Sequence, residues 1–494
     1  MFNMETMKKI FLLMIVVAGW QCAAQAQGST ITLTKGEEGK KVDVEDVMGA
    51  QFLGGNGARS CWLTREDDNK DRWCVYAMDR NQNVLGQLRL GLSREYKTVS
   101  MVKGNGVAHV VMVDSSARER FTVVTFAVDM DSLALVDNRI DTLVNFALKK
   151  GDRCYVWGAT SDDGERMGVL TLWQMAAKKQ YVAEATMFDS EMDTLWNKEY
   201  PVGTTGGVAV TNEGELVTFG HEREGNEERL VIGVIGEKSG ENYKVTLSGD
   251  RLEDMHIVNI LGRKLFCAGL FSMKESDPED DLTGGTAMMV FDLDSAKTSG
   301  FSLLPFQNED MNILLNKKTK KVQKEREVPM VKVLASCGTG WGSVLAVGHA
   351  HTLRYMNANG SVTTSYYTQG IHLVAIDGKG EVKWVRNMRR NDMADDDAML
   401  YVGLFAEGDT VCLVKTESPK YPGDYNIAAE AKEYEVGEKS HLVMYRVAEN
   451  GDVEKTVLEP KTKHVLVGVA RDDEGHILLT TTRGSKSRMV EMRF

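Results

Sequence analysis

Proline is scarce in this chain, seven in 494 residues, and so are long apolar runs, net basic charge and closely spaced cysteine pairs. Each shortage excludes something. Beyond the first 26 residues no stretch approaches the roughly 20 apolar residues that a membrane-spanning helix needs. The formal net charge of −12 lacks the basic footprint of sequence-independent nucleic-acid binding and gives no attraction to anionic lipid. The cysteines show no zinc-site spacing. There is no GxSxG, no phosphate-binding loop and no HExxH. Linear order groups no Ser, His and Asp into a triad, and 71 acidic residues single out no pair of glycosidase carboxylates. Few prolines beside 47 glycines suit a chain of strands joined by tight turns.

The N-terminus carries a targeting pattern. Lys8 and Lys9 precede an apolar run from Ile10 to Ala18, and Ala24-Gln25-Ala26 follows. This predicts a signal peptide over residues 1–26, cleaved after Ala26, with the mature chain 27–494 forming one exported domain. Met7 is an alternative start. Cys22 would serve a lipoprotein, although Gln21 is a poor residue before a lipidated cysteine. Of the six mature cysteines, all but Cys337 lie in apolar strand patterns and read as buried small hydrophobes. Cys61 and Cys74 flank a polar turn at Asp67 and Asp68. In a symmetric hairpin they face each other, and an exported location would permit a disulfide.

A short strand, apolar on both faces, recurs along the chain: SCWLT at Ser60, HVVMVD at His109, CYVWGAT at Cys154, ELVTFGHE at Glu215, KLFCAGLFS at Lys264, SVLAVGHA at Ser343, TVCLVKTE at Thr410 and HILLTTTR at His476. Each copy reads as the second strand of a unit. A third strand follows, often ending on aspartate as in RWCVYAMD, FTVVTFAVD and TAMMVFDLD, and then a polar fourth strand. Short doubly apolar strands are buried between two sheets, and polar fourth strands suit a solvent-facing edge. Four-stranded units repeating at this spacing predict an all-β fold, a single β-propeller of antiparallel blades. Eight blades are favoured, with seven as the alternative because two segments, MGVLTLW and YVAEATMFD, compete for one third strand. The chain ends on a third strand at Phe494, and Ile31-Thr32-Leu33-Thr34 is a lone strand, so the N-terminal strand is expected to complete the last blade.

Three segments break the repeat. Asn308 to Val328 is rich in basic residues and reads as a linker or exposed helix. His351 to Gln369 and Glu417 to Lys439 are insertions on one side of the ring, the second containing a short helical pattern. Long loops on one face are where binding functions concentrate. Asp189 with Trp196, and Asp377 with Trp384, place a tryptophan seven residues after an aspartate across a turn, which suits docking against the next blade. His349 and His351 share one side of a strand and, with a further ligand, could hold a metal. The Asp67–Asp71 loop lacks the glycine and glutamate of a calcium loop, and Asp392–Asp397 and Asp277–Asp281 read as solvated loops.

The segments FDSEMDTLWNKEYP, GELVTFGHE, LFCAGLFS and MVFDLD resemble a family of uncharacterised exported proteins from Gram-negative gut and oral bacteria, as do WGSVLAVGHA and HLVAIDGKGEVKWVRNM. The resemblance spans roughly residues 150–420. It implies a propeller-like fold and an envelope location, and no assigned activity. The aspartate-to-tryptophan turns are also similar to those of quinone-cofactor dehydrogenases. Those enzymes place adjacent cysteines beside the cofactor, and this chain has none. Non-catalytic relatives include outer-membrane-assembly scaffolds. The expected function is therefore a non-catalytic envelope module, without cofactor, that binds a protein or glycan. The alternative is a propeller enzyme, either a glycan hydrolase or lyase or a quinoprotein-like oxidoreductase.

Overall fold

The computed structural model describes the chain except residues 1–30, 37–50, 57, 67–71, 82, 94, 115–119, 177–179, 201–205, 225–226, 247–250, 274–281, 319–326, 357–360, 421–430, 438 and 485. The expected signal segment, Cys22, the Asp67–Asp71 loop, the Asp277–Asp281 run and the basic 319–326 run lie outside the described residues.

The described strands form eight antiparallel sheets with a four-stranded core, numbered here in chain order. Sheet 5 shows the pattern, with strands Arg251–Leu261, Lys264–Ser272, Gly285–Asp292 and Lys297–Pro305 side by side in chain order. Its second strand is buried along nearly its whole length. Leu265, Cys267 and Phe271 pack toward sheet 4, while Phe266, Ala268 and Leu270 pack toward sheet 6. A strand that alternates between two cores must be apolar on both faces. Fourth strands such as Val84–Ser93 are largely exposed or half-buried, as an outer edge should be.

Apolar clusters fill every gap between consecutive sheets. A last and smaller cluster, Trp62 with Leu478 and Met489, joins sheet 8 back to sheet 1. The sheets therefore close into a β-propeller. Sheet 8 is the composite one. Its first three strands are Val465–Arg471, Ile477–Arg483 and Lys486–Arg493, and its fourth is Thr32–Lys35 from the other end of the chain. The pairing runs from Thr32 opposite Arg493 to Lys35 opposite Val490.

Third strands end on aspartate for a local reason. Asp189 Oδ1 accepts the backbone N–H groups of Glu191 and Asp193, at 3.0 and 2.8 Å. Asp377 Oδ1 does the same for Lys379 and Glu381, at 2.8 and 3.0 Å. Each side chain satisfies turn donors that no strand would otherwise pair.

Sheet 3 corrects one expectation. CYVWGAT belongs to the first strand, Arg153–Thr160, not the second. The doubly buried second strand is Arg166–Met175 and the third is Gln180–Asp189. The two segments that compete for one place are therefore successive strands. CYVWGAT is only half-buried, because a first strand faces the centre of the ring on one edge. Cys61 and Cys74 give a second correction. Cys61 stands opposite Ala77, and Cys74 opposite Thr64. The hairpin is not symmetric about the cysteines, and the offset of about 10 Å along the strands is beyond disulfide reach. Both are buried thiols outside any disulfide, and burial pushes the Cys61 thiol up.

Turns between first and second, and third and fourth, strands lie on one face of the ring and are short except in sheet 2, where residues 130–140 separate Arg120–Asp129 from Asp141–Ala147. The connections between second and third strands, and between sheets, all emerge on the other face. Asn308–Leu314 (helix α1) lies there, with Met311, Ile313 and Leu314 buried, so this part of the expected linker is core. The residues after Glu417 return as a two-residue strand, Tyr434–Glu435, parallel to the fourth strand of sheet 6.

Deleting residues 27–36 should remove the fourth strand of sheet 8 and destabilise the ring by on the order of 4 kcal/mol. The expected readout is a lowered midpoint in thermal unfolding followed by circular dichroism. An unchanged midpoint would show that the N-terminal strand does not close the ring.

Candidate functional site

Sheet 6 departs from the other sheets. Its second and third strands, Gly342–Met356 and Val362–Asp377, run 15 and 16 residues and extend past the ring on the elaborated face. The expected loop from His351 to Gln369 is therefore mostly strand, consistent with its threonine, tyrosine and valine content. Register shifts lie between Val347 and His349 and between Gln369 and Ile371. At the second of these Gly370 has φ +60°, and a Cβ there would stand 2.5 Å from the Ile313 carbonyl oxygen. Glycine is required both for the backbone turn and for the close approach of α1.

The approach of α1 creates a cavity of about 480 Å³ between sheets 5 and 6. Leu304, Pro305 and Val385 give it apolar walls, and Gln307, Glu309, Asp310, His372, Arg386 and Asn387 give it polar ones. Asp310, His372 and Asn387 form a closed set. The Asn387 amide donates to Asp310 Oδ1 at 2.7 Å, and the Gln307 N–H donates to Asp310 Oδ2 at 2.7 Å. His372 Nδ1 lies 2.8 Å from Asn387 Oδ1 and 3.5 Å from Asp310 Oδ1. Burial raises the Asp310 pKa, but the hydrogen bonds from His372, Asn387 and the Gln307 N–H outweigh it and hold the carboxyl below its usual range. Phe306 meets the His372 ring edge to face at 5.3 Å. Ser, Thr, Cys and Tyr are absent from the described residues lining the cavity.

Above the cavity, α1 and the fourth strand of sheet 6, Val382–Ala394, carry a polar relay toward the second insertion. Arg389 donates to the Asn312 carbonyl at 2.9 Å. Gln369 donates to Asn391 Oδ1 at 3.0 Å, and Asn391 donates to the Ala431 carbonyl at 3.1 Å. Ala431 and Asn316 exchange two bonds, each 2.8 Å. Asp392 corrects the expectation of a solvated acidic run. It is fully buried, its Oδ2 2.5 Å from Arg390 Nε, and Arg390 also donates to the Leu400 carbonyl at 2.9 Å. Glu417, where the insertion departs, is buried between Lys415, at 2.9 Å, and Lys455, and accepts from the Tyr445 hydroxyl at 2.8 Å. Burial raises its pKa, and the two lysines more than reverse that.

No protein-family model and no curated protein matches the chain. Solved structures do. The β-propeller domain of the Trilobed protease from Pyrococcus furiosus is 9% identical with a TM-score of 0.39, over 87% of this chain and 99% of that one. The acylaminoacyl peptidase of Pyrococcus horikoshii is 8% identical with a TM-score of 0.37, over 91% of this chain and 58% of that one. A quinohemoprotein alcohol dehydrogenase from Pseudomonas putida HK5 is 11% identical with a TM-score of 0.39, over 93% and 76%. This chain thus spans little more than half the length of the peptidase. Likeness at this level carries neither an activity nor a ligand across.

Of the residues singled out in the sequence, Trp196 and Trp384 both meet the following sheet. Trp196 Nε1 donates to the Gly214 carbonyl of sheet 4 at 3.1 Å. Trp384 is buried against Gly451 of sheet 7, where an added Cβ would come within 2.9 Å of the indole. His349 and His351 share a face of the extended strand, with ring centres 5.1 Å apart. Burial, with His351 beside it, pushes the His349 pKa down to about 4 against the opposing influence of the Gln369 side chain. Burial also lowers His351. Among the described residues they belong to no cluster of three metal-ligating side chains; Asp472, Glu474 and His476 do, on the opposite face. There Asp472 serves its own turn, accepting the N–H groups of Glu474 and His476 at 3.0 and 2.7 Å.

Asp310→Asn should cost about 1–3 kcal/mol at neutral pH, because a buried hydrogen-bonded carboxylate is lost. A folded-state pKa held below the ordinary 3.8 means this stabilisation is present above that value and disappears as the pH falls through the folded pKa. Thermal unfolding of wild type and variant should therefore differ at pH 7 and converge below pH 3.8. A gap that persists in acid would show that the carboxylate charge is not what stabilises the site.

Proposed function

We propose that this protein is a non-catalytic envelope propeller that binds a protein or glycan through the elaborated face of sheet 6. One observation carries the proposal: the cavity, α1, the extended hairpin and the second insertion are tied together by three neighbouring groups of buried and half-buried hydrogen bonds along the fourth strand of sheet 6, at Asn387, Arg389 and Asn391. A surface held this rigidly loses little conformational entropy on binding. The cavity combines an apolar wall with fixed amide, carboxylate and guanidinium groups, which suits hydroxyl-rich or peptide ligands. The export pattern Lys8–Ala26 and the family resemblance over roughly residues 150–420 support an envelope location.

An enzymatic alternative rests on His372. A histidine whose Nδ1 lies beside Asn387 and Asp310 has the orientation of a general base. The described residues of the cavity supply it with no hydroxyl or thiol nucleophile, so such an enzyme built on them would have to activate water. The aspartate it would use is already committed to Asn387 and Gln307, as a structural carboxylate would be.

The test is a glycan array and a pull-down from envelope extract, using wild type, a variant with residues 421–430 replaced by a short Gly-Ser linker, and Asn387→Ala. The expected outcome is a ligand bound by wild type and weakened at least tenfold in one of the two folded variants. Wild-type binding in both variants would move the binding surface elsewhere and overturn the proposal. Turnover of a captured glycan that is abolished by His372→Ala would favour the enzyme.

A further inference from the structure

The base of the extended hairpin holds two buried nitrogens that the fold leaves without a partner. His349 is 8% exposed, and its Nδ1 has no hydrogen-bond partner; neither has Nδ1 of His351, two residues on. Buried polar atoms are normally satisfied, and an exception calls for a reason. Two exceptions of the same kind, on the same face of one strand, share one simple reason. We propose that His349 and His351 are ligands of a single first-row transition-metal ion, of the zinc or copper type, bound through Nδ1.

Three further features fit such a site. Gln369 stands directly opposite His349 in the sheet, and its side chain interacts with the imidazole. Nδ1 has no partner among the described residues, so a proton held on Nε2 by the Gln369 carbonyl would leave the Nδ1 lone pair available. A metal-bound histidine is normally oriented in this way through its second nitrogen. His351 is fixed by stacking on Tyr367, with centres 4.8 Å apart and planes 3° from parallel. The spacing is also suitable. Two imidazoles bound tetrahedrally at a metal–nitrogen distance of about 2.0–2.1 Å place their ring centres about 5.2 Å apart, and the observed separation is 5.1 Å. Imidazole pairs favour zinc, copper or nickel over magnesium or calcium. Two protein ligands leave coordination positions open to solvent or to an external group. The site also lies at the end of the relay that continues from Gln369 through Asn391 to Ala431, so occupancy would be felt at the second insertion.

The experiment is competition for Zn²⁺ between a chromophoric chelator and chelator-stripped protein, on wild type, His349→Ala, His351→Ala, Gln369→Leu and His476→Ala, each checked for folding by thermal unfolding. Wild type should take up one equivalent that Mg²⁺ does not displace, and Zn²⁺ should raise its unfolding midpoint. Each histidine variant of the pair should bind at least tenfold more weakly. Gln369→Leu should weaken binding roughly 10–100-fold through ligand orientation alone, and His476→Ala should match wild type. The proposal is overturned if wild type takes up no Zn²⁺ at submillimolar concentration, or if folded His349→Ala and His351→Ala proteins bind as wild type does. It is equally overturned if the loss appears only in His476→Ala.

Discussion

Shared burial of the second strands is the constraint on which the rest of this molecule depends. Leu265 and Cys267 belong to one core, and Phe266 and Ala268, between and beside them, belong to the next. No sheet can cover both of its faces alone, so none is complete until both neighbours are in place. Hydrophobic burial here is a property of the ring, and a polar side chain at such a strand harms two cores at once. The short turns follow from the same constraint, because strands packed on both faces leave little room for irregular chain between them except at the two ends.

Freedom to vary is therefore concentrated at one end, and there the chain changes its chemistry. Sheet 6 lengthens its strands, α1 lies across them, and the interior becomes charged. Arg390 with Asp392, and Glu417 with its lysines, are fully or nearly fully buried. Buried ion pairs cost desolvation that their attraction only partly returns, so they add less to stability than to definition. Each admits one arrangement of the segments that carry it. The elaborated face thus gains a fixed shape in a region where apolar packing alone would tolerate several.

The sequence reveals the periodic part of this design and hides the rest, for physical reasons. Doubly apolar strands and the lone Ile31–Thr34 segment are local signals, so the ring and its closure are legible. Strand rank is not local: CYVWGAT has the residue types of a second strand, and only its place in the sheet shows that it is a first one. Register is not local either, which is why Cys61 and Cys74 look paired in sequence and are three residues out of step in the sheet. The cavity is the least legible feature. Asp310, His372 and Asn387 come from a helix and two strands, and no spacing links them. Asp392 lies in an acidic run that reads as solvated, although Arg390 two residues earlier is on the same side of the strand and could have signalled the pair. The apolar MNILL after Asp310 likewise signals that part of the expected linker is buried.

The composite sheet has a consequence for how the protein is made. Thr32–Lys35 hydrogen-bonds with Lys486–Arg493, so this early strand stays unpaired until a very distant one has been made. Among the described residues the seam between sheets 8 and 1 is also the smallest of the apolar interfaces, and polar contacts such as Arg80 with Glu491, at 3.2 Å, reinforce it. A chain emerging from its N-terminus can stack sheets in order but cannot close the ring until Lys486–Arg493 has been made. Until then the open first and last sheets offer sticky edges. Long-range closure of this kind is slow, and the unfinished arc is the state that a chaperone would need to guard.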